Sequence, residues 1–392
     1  MISVAEALER LFDLAPPPAL EDVALIEAAG RVLLRPVRAL RPQPPFTASA
    51  MDGYALRSDE AQPGRRFRLV GESAAGHHYA GRVGPGEAVR ILTGAPLPDG
   101  ADAVVIQEEV TADGSSIVLS DGAVAAHTRP EGNDFPAGAE LAAPRRLTPA
   151  DIALLASFGR PTVPVARRPT VAILSTGDEL VMPGGTPRSD QVFAANAFGL
   201  HAMLVGDGAR PRLLPIAADT PDALAFAFDT ARGADLIVTI GGASVGDHDL
   251  VAPAARAAGA EIDFHKVAMR PGKPLLAGRF PDGTMLLGLP GNPVSAMVCG
   301  QIFLRPVVRA MLGLERAPAP RMLAPLAAPL GAGGPREHYL RAMREPDGHV
   351  RAFDHQDSSL LSVLAQADCL IVQPPGSGAK NAGEMVEIVP FS

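Results

Sequence analysis

Residues 2–14 repeat apolar positions at a helical period, with Val4, Leu8 and Leu11 on one face and Glu6, Glu9 and Arg10 on another. That spacing predicts an amphipathic helix. From about 36 to 145 the pattern changes to short apolar runs broken by Gly and Pro, such as Ala88-Val89-Arg90-Ile91-Leu92 and Ala103-Val104-Val105-Ile106. Such runs suit an all-β module. Over 148–159 the helical pattern returns, with Thr148 placed as N-cap, Pro149 at the first helical position and Asp151 in the first turn.

From Pro169 to about Leu314 the rhythm is strand, loop, helix. Strands are predicted at 170–175, 212–217, 235–240, 261–267 and 285–289, and helices at 189–205, 221–232, 248–258 and 293–312. This alternation predicts a mostly parallel sheet covered by helices on both faces, a three-layer α/β/α domain. Ligands of such sheets bind beyond the carboxyl ends of the strands. A Pro-rich linker, Ala317-Pro318-Ala319-Pro320, precedes about 70 residues whose short runs, among them Cys369-Leu370-Ile371-Val372, suggest a small β domain.

Composition narrows the function classes. With 392 residues the chain exceeds one ordinary domain, and in the absence of Trp its cores must be aliphatic. A net charge of -8 and the lack of any basic run argue against nucleic acid as a partner. The first residues carry no basic segment ahead of an apolar one, and no apolar stretch approaches the ~20 residues needed to span a bilayer. No membrane association and a cytoplasmic location are therefore expected. Cys299 and Cys369 stand far apart without metal-ligand spacing, as free thiols of a reducing compartment would. The only lysines are Lys266, Lys273 and Lys380. Two of them fall in Phe264-His265-Lys266-Val267-Ala268-Met269-Arg270-Pro271-Gly272-Lys273-Pro274, which marks that segment for a compact ammonium rather than a guanidinium.

Three loops after the predicted strands carry candidate chemistry. In Ser175-Thr176-Gly177-Asp178-Glu179-Leu180, a glycine permits close passage of a ligand and two carboxylates could hold a divalent cation. Alone, the same residues also read as a turn followed by solvated acids. Gly241-Gly242-Ala243-Ser244-Val245-Gly246-Asp247-His248-Asp249 offers consecutive peptide N–H groups for an anion, with Asp247 and Asp249 as oxygen ligands for Mg²⁺. Its glycine spacing fits neither the dinucleotide fingerprint nor a Walker loop. In Leu289-Pro290-Gly291-Asn292-Pro293-Val294-Ser295, Asn292 and Pro293 suit the start of a helix, although capping alone would explain both. Taken together, the three loops describe a pocket for a phosphorylated ligand.

With Ser49-Ala50-Met51-Asp52-Gly53-Tyr54-Ala55, Ile91-Leu92-Thr93-Gly94-Ala95, Pro130-Glu131-Gly132-Asn133-Asp134 and Arg270-Pro271-Gly272-Lys273-Pro274, these motifs make seven in one order. The chain thereby resembles, over essentially its whole length, the molybdopterin molybdenumtransferase family, which includes MoeA and the E domain of gephyrin. The resemblance implies an elongated subunit of multi-domain α/β plus β class: a helical and linker domain (1–42 and 143–168), an inserted β domain (43–142), an α/β molybdopterin-binding domain (169–316) and a C-terminal β barrel (317–392). It also implies a homodimer, a molybdopterin-adenylylating enzyme as donor, and molybdoenzymes or their chaperones as acceptors.

The implied reaction takes molybdate and adenylylated molybdopterin to molybdenum cofactor and AMP, with Mg²⁺. In the resemblance, Asp249, Asp52, Glu179, Lys266 and Thr93 belong to the catalytic machinery. Pterin and phosphate fall to Thr176, Gly177, Asp178, Gly241, Gly242, Ser244, Gly246, Asp134 and the turn Pro290, Gly291, Asn292 and Pro293. Molybdate, a tetrahedral dianion, is matched by Arg270, Lys273, Pro274, Arg341 and Ser358. The Mg²⁺ ligands are Asp247, Asp249 and Glu179, with Asp219 after the second strand. Departures from the family pattern are Ala194-Ala195-Asn196 in place of Asp-Ser-Asn, Ile240 before the glycine pair and Leu250 after Asp249. Competing readings are a molybdopterin adenylyltransferase, a non-catalytic pterin-binding scaffold or sensor, and a nucleotide-dependent dehydrogenase. The Asp52 segment and C-terminal domain weigh against the first, the retained charges against the second, and the glycine spacing against the third.

Overall fold

The computed structural model describes residues 1–242 and 250–391. The chain forms two compact units, one of residues 1–21, 30–34 and 165 onward, the other of 22–29 and 35–164.

In the first unit a six-stranded sheet runs in the order Arg210–Leu213, Thr170–Ser175, Leu236–Ile240, Met285–Leu289, Pro274–Arg279, Glu261–Lys266. The first four strands are parallel, and Pro274–Arg279 is antiparallel to both its neighbours. That fifth strand has no counterpart in the expected set, because it begins within the Pro- and Gly-rich run that also reads as a loop. The second strand lies at Arg210–Leu213 instead of 212–217, with Ala217 retained as a single bridge to Thr176. Leu236–Ile240 and Met285–Leu289 are buried throughout, as central parallel strands covered on both faces must be. One face packs Ile173, Val238 and Leu287 against the helix Pro293–Cys299 and its continuation. The other packs Leu174, Ile237 and Leu286 against Pro221–Thr230 and Val251–Ala257.

The helix expected from 189 begins only at Ala195 and runs to Asp207, because Val192–Phe193 forms a short strand with Leu180–Val181. The helix predicted at 293–312 is interrupted by a π-helical stretch at Gly300–Leu304. Pro293–Met311 is long and apolar enough to cross a membrane, and 83% of its apolar window is buried inside the protein. It is a core helix.

The N-terminal helix Val4–Leu14 starts at Ser3, whose hydroxyl accepts the Glu6 N–H at 3.1 Å. Its apolar face of Val4, Ala7, Leu8, Leu11 and Phe12 joins the core of the α/β sheet. Amphipathicity requires a partner surface without saying which one, and here the sheet supplies it.

Past the linker, strands run in the order Glu337–Arg344, Cys369–Gln373, Met385–Pro390, Met322–Pro325, with Val350–Ala352 paired to the first. A bridge between Leu326 and Val350 joins the last strand back to the first pair, and Ala327 N donates to Val350 O at 2.9 Å. The path closes as a small barrel. Barrel residues Tyr339, Leu370, Val372 and Val389 share the core with the α/β helices.

The second unit carries a six-stranded sheet, ordered Ala103–Ile106, Gly53–Leu56, Glu87–Ile91, Arg66–Ser73, Ser116–Leu119, Val110–Ala112. Its core includes Tyr54, Leu56, Phe67, Val105 and Ile117. Helix Pro149–Ser157 opens with a capping box: Thr148 Oγ1 accepts from Asp151 N, and Asp151 Oδ2 accepts from Thr148 N at 2.8 Å. The N-cap assignment of Thr148 holds.

Candidate functional site

Register brings the three loops together. Ser175 pairs with Ile240 and Ile240 with Leu289, so three neighbouring strands end level. Beyond them Thr176 N donates to Ile240 O at 3.0 Å and Gly241 N to Leu289 O at 3.1 Å. The turns then pass so closely that a Cβ on Gly241 (φ 91°) would meet Thr176 O at 2.8 Å, and one on Gly291 would touch Gly241 Cα at 3.5 Å. Only glycine fits at 241, by conformation and by space. A cleft of about 560 Å³ lies on this edge, lined by Thr176, Gly177, Glu179, Asp219, Gly241, Gly242, Pro274 and the turn from Pro290 to Pro293.

The acidic residues divide. Asp178 Oδ1 accepts the Asp219 N–H at 3.2 Å, tying the first strand end to the second. Asp178 is thus a link between loops and does not line the cleft. Glu179 folds its carboxylate over Gly177 (φ 143°), where any Cβ would collide with it. Glu179 and Asp219 both line the cleft. Ser244, Gly246, Asp247 and Asp249 lie outside the described residues. Among the described residues no group of three or more His, Cys, Asp or Glu side chains could hold a metal.

Asn292 takes the N-cap position of the helix that follows it, with Pro293 in the first turn, but its side chain makes no capping bond. Its Nδ2 donates to Ser358 Oγ at 3.1 Å, and the Val294 N–H is taken by Ser358 O at 3.0 Å. The helix cap thus comes from a loop of the barrel, 64 residues further along the sequence, and no local pattern could have indicated it. This contact sets Ser358 at the edge of the cleft. Asn196, retained beside Ala194 and Ala195, donates to Gly291 O at 2.7 Å and steadies the same turn.

Lys266, Arg270 and Lys273 are all exposed. The turn that bears them rests on Cys299: Gly272 (φ 103°) leaves no room for a Cβ above the Cys299 sulfur. Burial pushes the Cys299 thiol well up, so it serves as packing. Arg341 departs from the expected oxyanion role. It is 1% exposed, with Nη1 donating to Leu360 O and Nη2 to His355 O, each at 3.1 Å, and Nε to Gln356. Its charge is spent on the loop that presents Ser358, so it positions that loop. Burial also lowers its pKa.

Two residues in this region were not singled out from sequence. Gln356 binds Arg341, and His338 stands opposite Arg270 in the pairing of Met269–Arg270 with Glu337–Arg344. Burial, with Arg270, Arg336 and Arg341 nearby, pushes the His338 imidazole down to about 4. Nothing in its spacing marks it, because the charges around it come from separate strands.

In the second unit, Asp52 Oδ1 accepts both the Thr93 N–H and the Thr93 hydroxyl, each at 2.7 Å. Two residues that the resemblance draws from separate motifs are therefore one hydrogen-bonded pair. The Thr93 backbone and hydroxyl donors hold the Asp52 carboxyl below its usual range. Asp134 is exposed, its N–H donating to Gln43 O at 2.9 Å.

Comparison with known proteins agrees in all parts of the chain. Residues 2–159 match the MoeA N-terminal region (domain I and II), residues 172–310 a probable molybdopterin binding domain, and residues 323–391 the MoeA C-terminal region (domain IV). A molybdopterin molybdenumtransferase of Nostoc is 34% identical, covering 99% of this chain and 94% of that one. One of Haemophilus influenzae is 31% identical, covering 100% and 99%. A crystal structure of the molybdopterin biosynthesis MoeA protein of Pyrococcus horikoshii superposes with a TM-score of 0.88 at 28% identity, covering 100% and 99%. Motif order, fold and full-length similarity converge: the chain belongs to the MoeA family of molybdopterin molybdenumtransferases.

Proposed function

We propose that the chain inserts molybdenum from molybdate into adenylylated molybdopterin and releases AMP. The observation that carries the reading is the level ending of three strands, which puts glycine turns and two carboxylates on one cleft whose wall includes Pro274 of the cationic turn. The Gly177 and Gly241 N–H groups hold the turns to Ala217 O and Leu289 O, and the glycines leave open backbone against which phosphate oxygens can lie, with the Gly242 N–H as donor. Arg270 and Lys273 supply the fixed charge that a molybdate dianion needs, and Ser358, held by Asn292, supplies a hydroxyl. Lys266 adds positive potential toward the phosphates.

Glu179 and Asp219 are chemically suited to Mg²⁺, a hard cation commonly held by one or two carboxylates together with substrate phosphates. Bound there, it would neutralise charge on the pyrophosphate oxygens. The remaining work of this chain is orientation and electrostatics. A homodimer, a cytoplasmic location, an adenylylating enzyme as donor and molybdoenzymes or their chaperones as acceptors belong to the same proposal. The barrel loop seated on the Asn292 turn favours this reading over a simple adenylyltransferase, because it adds Ser358 to the edge of the ligand cleft.

The test is AMP release from purified protein given adenylylated molybdopterin and Mg²⁺, with and without molybdate. Molybdate-dependent release with active cofactor formed is expected. Tight pterin binding with no AMP released would overturn the enzymatic reading in favour of a scaffold or sensor.

A further inference from the structure

The cleft has two kinds of lining. Thr176, Gly177, Glu179, Asp219 and Asn292 are polar or present backbone, whereas Leu180, Val192, Phe193, Ala194 and Ala195 are apolar. The phosphate, molybdate and Mg²⁺ chemistry described above uses only the first kind. On the second, Phe193 is 48% exposed and Val192 56%. A Phe side chain held half in water forgoes part of the stabilisation that burial gives. Isolated exposed apolar residues are common and carry no meaning by themselves. Phe193 differs in that it lines a concave site on a backbone fixed from both sides. Val192 N donates to Glu179 O at 2.7 Å and Ala194 N to Val181 O at 2.9 Å. The pairing of Leu180–Val181 with Val192–Phe193 ties this edge directly to the Gly177-Asp178-Glu179 turn. Ala194 and Ala195 beside it leave the space next to the ring unfilled by long side chains. Ring pairs among the described residues join Phe135 to Phe158 and Phe228 to Phe280, and neither includes Phe193.

We propose that Phe193 is a specificity-determining residue that stacks on a planar heteroaromatic ring of the ligand whose phosphates occupy the glycine turns. This rests on the reading that the ligand is an adenylylated pterin, which carries two such rings. A cleft of about 560 Å³ is roomier than a phosphate group needs, and ligand pockets of ~300–1,000 Å³ commonly combine an apolar wall with a few placed polar groups. Stacking orients the ring while the glycine turns receive the phosphate, so the bond between them is presented in one pose.

Calorimetric titration of the full chain, of Phe193→Ala and of Phe193→Trp tests this. The ligands are AMP, molybdopterin and inorganic pyrophosphate, each with Mg²⁺. Phe193→Ala is expected to weaken at least one ring-bearing ligand about tenfold while pyrophosphate changes less than about twofold, and Phe193→Trp to restore the affinity. Loss confined to AMP assigns the stack to adenine, and loss confined to molybdopterin assigns it to the pterin. An equal loss for pyrophosphate, or no loss for either ring, overturns the stacking role. The AMP-release assay separates the two readings. A wild type that turns over, with a Phe193→Ala variant unchanged in affinity, removes the stack alone. A wild type that binds no ring-bearing ligand and releases no AMP removes the functional reading and the stack together.

Discussion

Arg341 and Gln356 hold each other through both backbone and side chain: Gln356 Oε1 accepts from Arg341 N at 3.0 Å and from Nε at 3.3 Å, and Gln356 Nε2 donates to Arg341 O at 2.9 Å. With the Arg341 bonds to His355 O and Leu360 O, this fixes both ends of the loop that carries Ser358. The Asp357 carboxylate acts on this guanidinium only through space, and a buried cation is costly unless its donors are satisfied. Here backbone carbonyls and one amide satisfy them, and the loop geometry follows from that requirement.

Replacing Gln356 by Ala should therefore lower stability by about 2–3 kcal/mol, since it leaves part of a buried cation unpartnered. The urea midpoint should fall with the slope unchanged. Ser358 would lose its fixed position on Asn292 and Val294, so molybdate dependence should weaken more than pterin binding. An unchanged midpoint would show that the loop is held by other means.

Gly241→Ala should be more damaging to binding than its size suggests. The residue sits at φ 91° with a backbone oxygen, Thr176 O, at 2.8 Å from the added methyl. Strain of this kind costs about 1–3 kcal/mol, and relieving it means moving the turn that lines the cleft. AMP affinity measured by titration should fall well beyond the loss in thermal midpoint. Gly184 (φ 93°), with open space around it, is the control. Its Ala variant should bind AMP normally.

How far the sequence could be read depended on whether the governing interaction was local. The strands at 170–175 and 285–289 matched their apolar runs to the residue, because both faces of a central strand are buried and the run itself is the signal. Thr148 was legible as an N-cap because its partner Asp151 lies three residues away. Pro274–Arg279 was not, since its start is masked by Pro and Gly that serve the turn over Cys299. Asn292 takes the cap position that local rules give it, but the helix N–H of Val294 is satisfied by Ser358 O of a barrel loop, a partner that no local pattern indicates. Arg341 entered through the family resemblance, and burial turns its charge inward onto its own loop. Glu179, Asp219 and the glycine turns converge as expected because parallel strands end on one edge, a property of topology that alternation alone predicts.

The Asp52–Thr93 pair yields a spectroscopic prediction. Thr93 provides two donors to one oxygen, and the backbone donor is the larger cause of the lowered pKa. Thr93→Val removes the hydroxyl and keeps the N–H. The Asp52 pKa, followed by carbon NMR, should rise only part of the way to 3.8. Asp52 would then stay ionised at neutral pH in both proteins, and any loss of activity in the variant must come from geometry. A wild-type Asp52 titrating above pH 5 would contradict the hydrogen bonding described.

Acid stability gives the final test, and its sign follows from His338. Burial first, and then Arg270, Arg336 and Arg341, hold the imidazole neutral in the fold down to about pH 4, whereas an ordinary histidine titrates near 6.5. The Gln373 side chain hydrogen-bonds it and opposes the shift. Between these values the unfolded chain binds the proton and the folded one does not. The stabilising contribution of His338 is therefore complete above 6.5 and is lost as pH falls toward 4. For a half-buried group in partial contact with solvent the loss amounts to roughly 1–3 kcal/mol. His338→Gln cannot take up a proton, so its unfolding free energy should fall less steeply across this window than that of the wild type. Relative to the variant, the wild type should lose stability progressively as pH drops to 4. Parallel pH profiles would mean that the three arginines do not act on His338 as their placement implies.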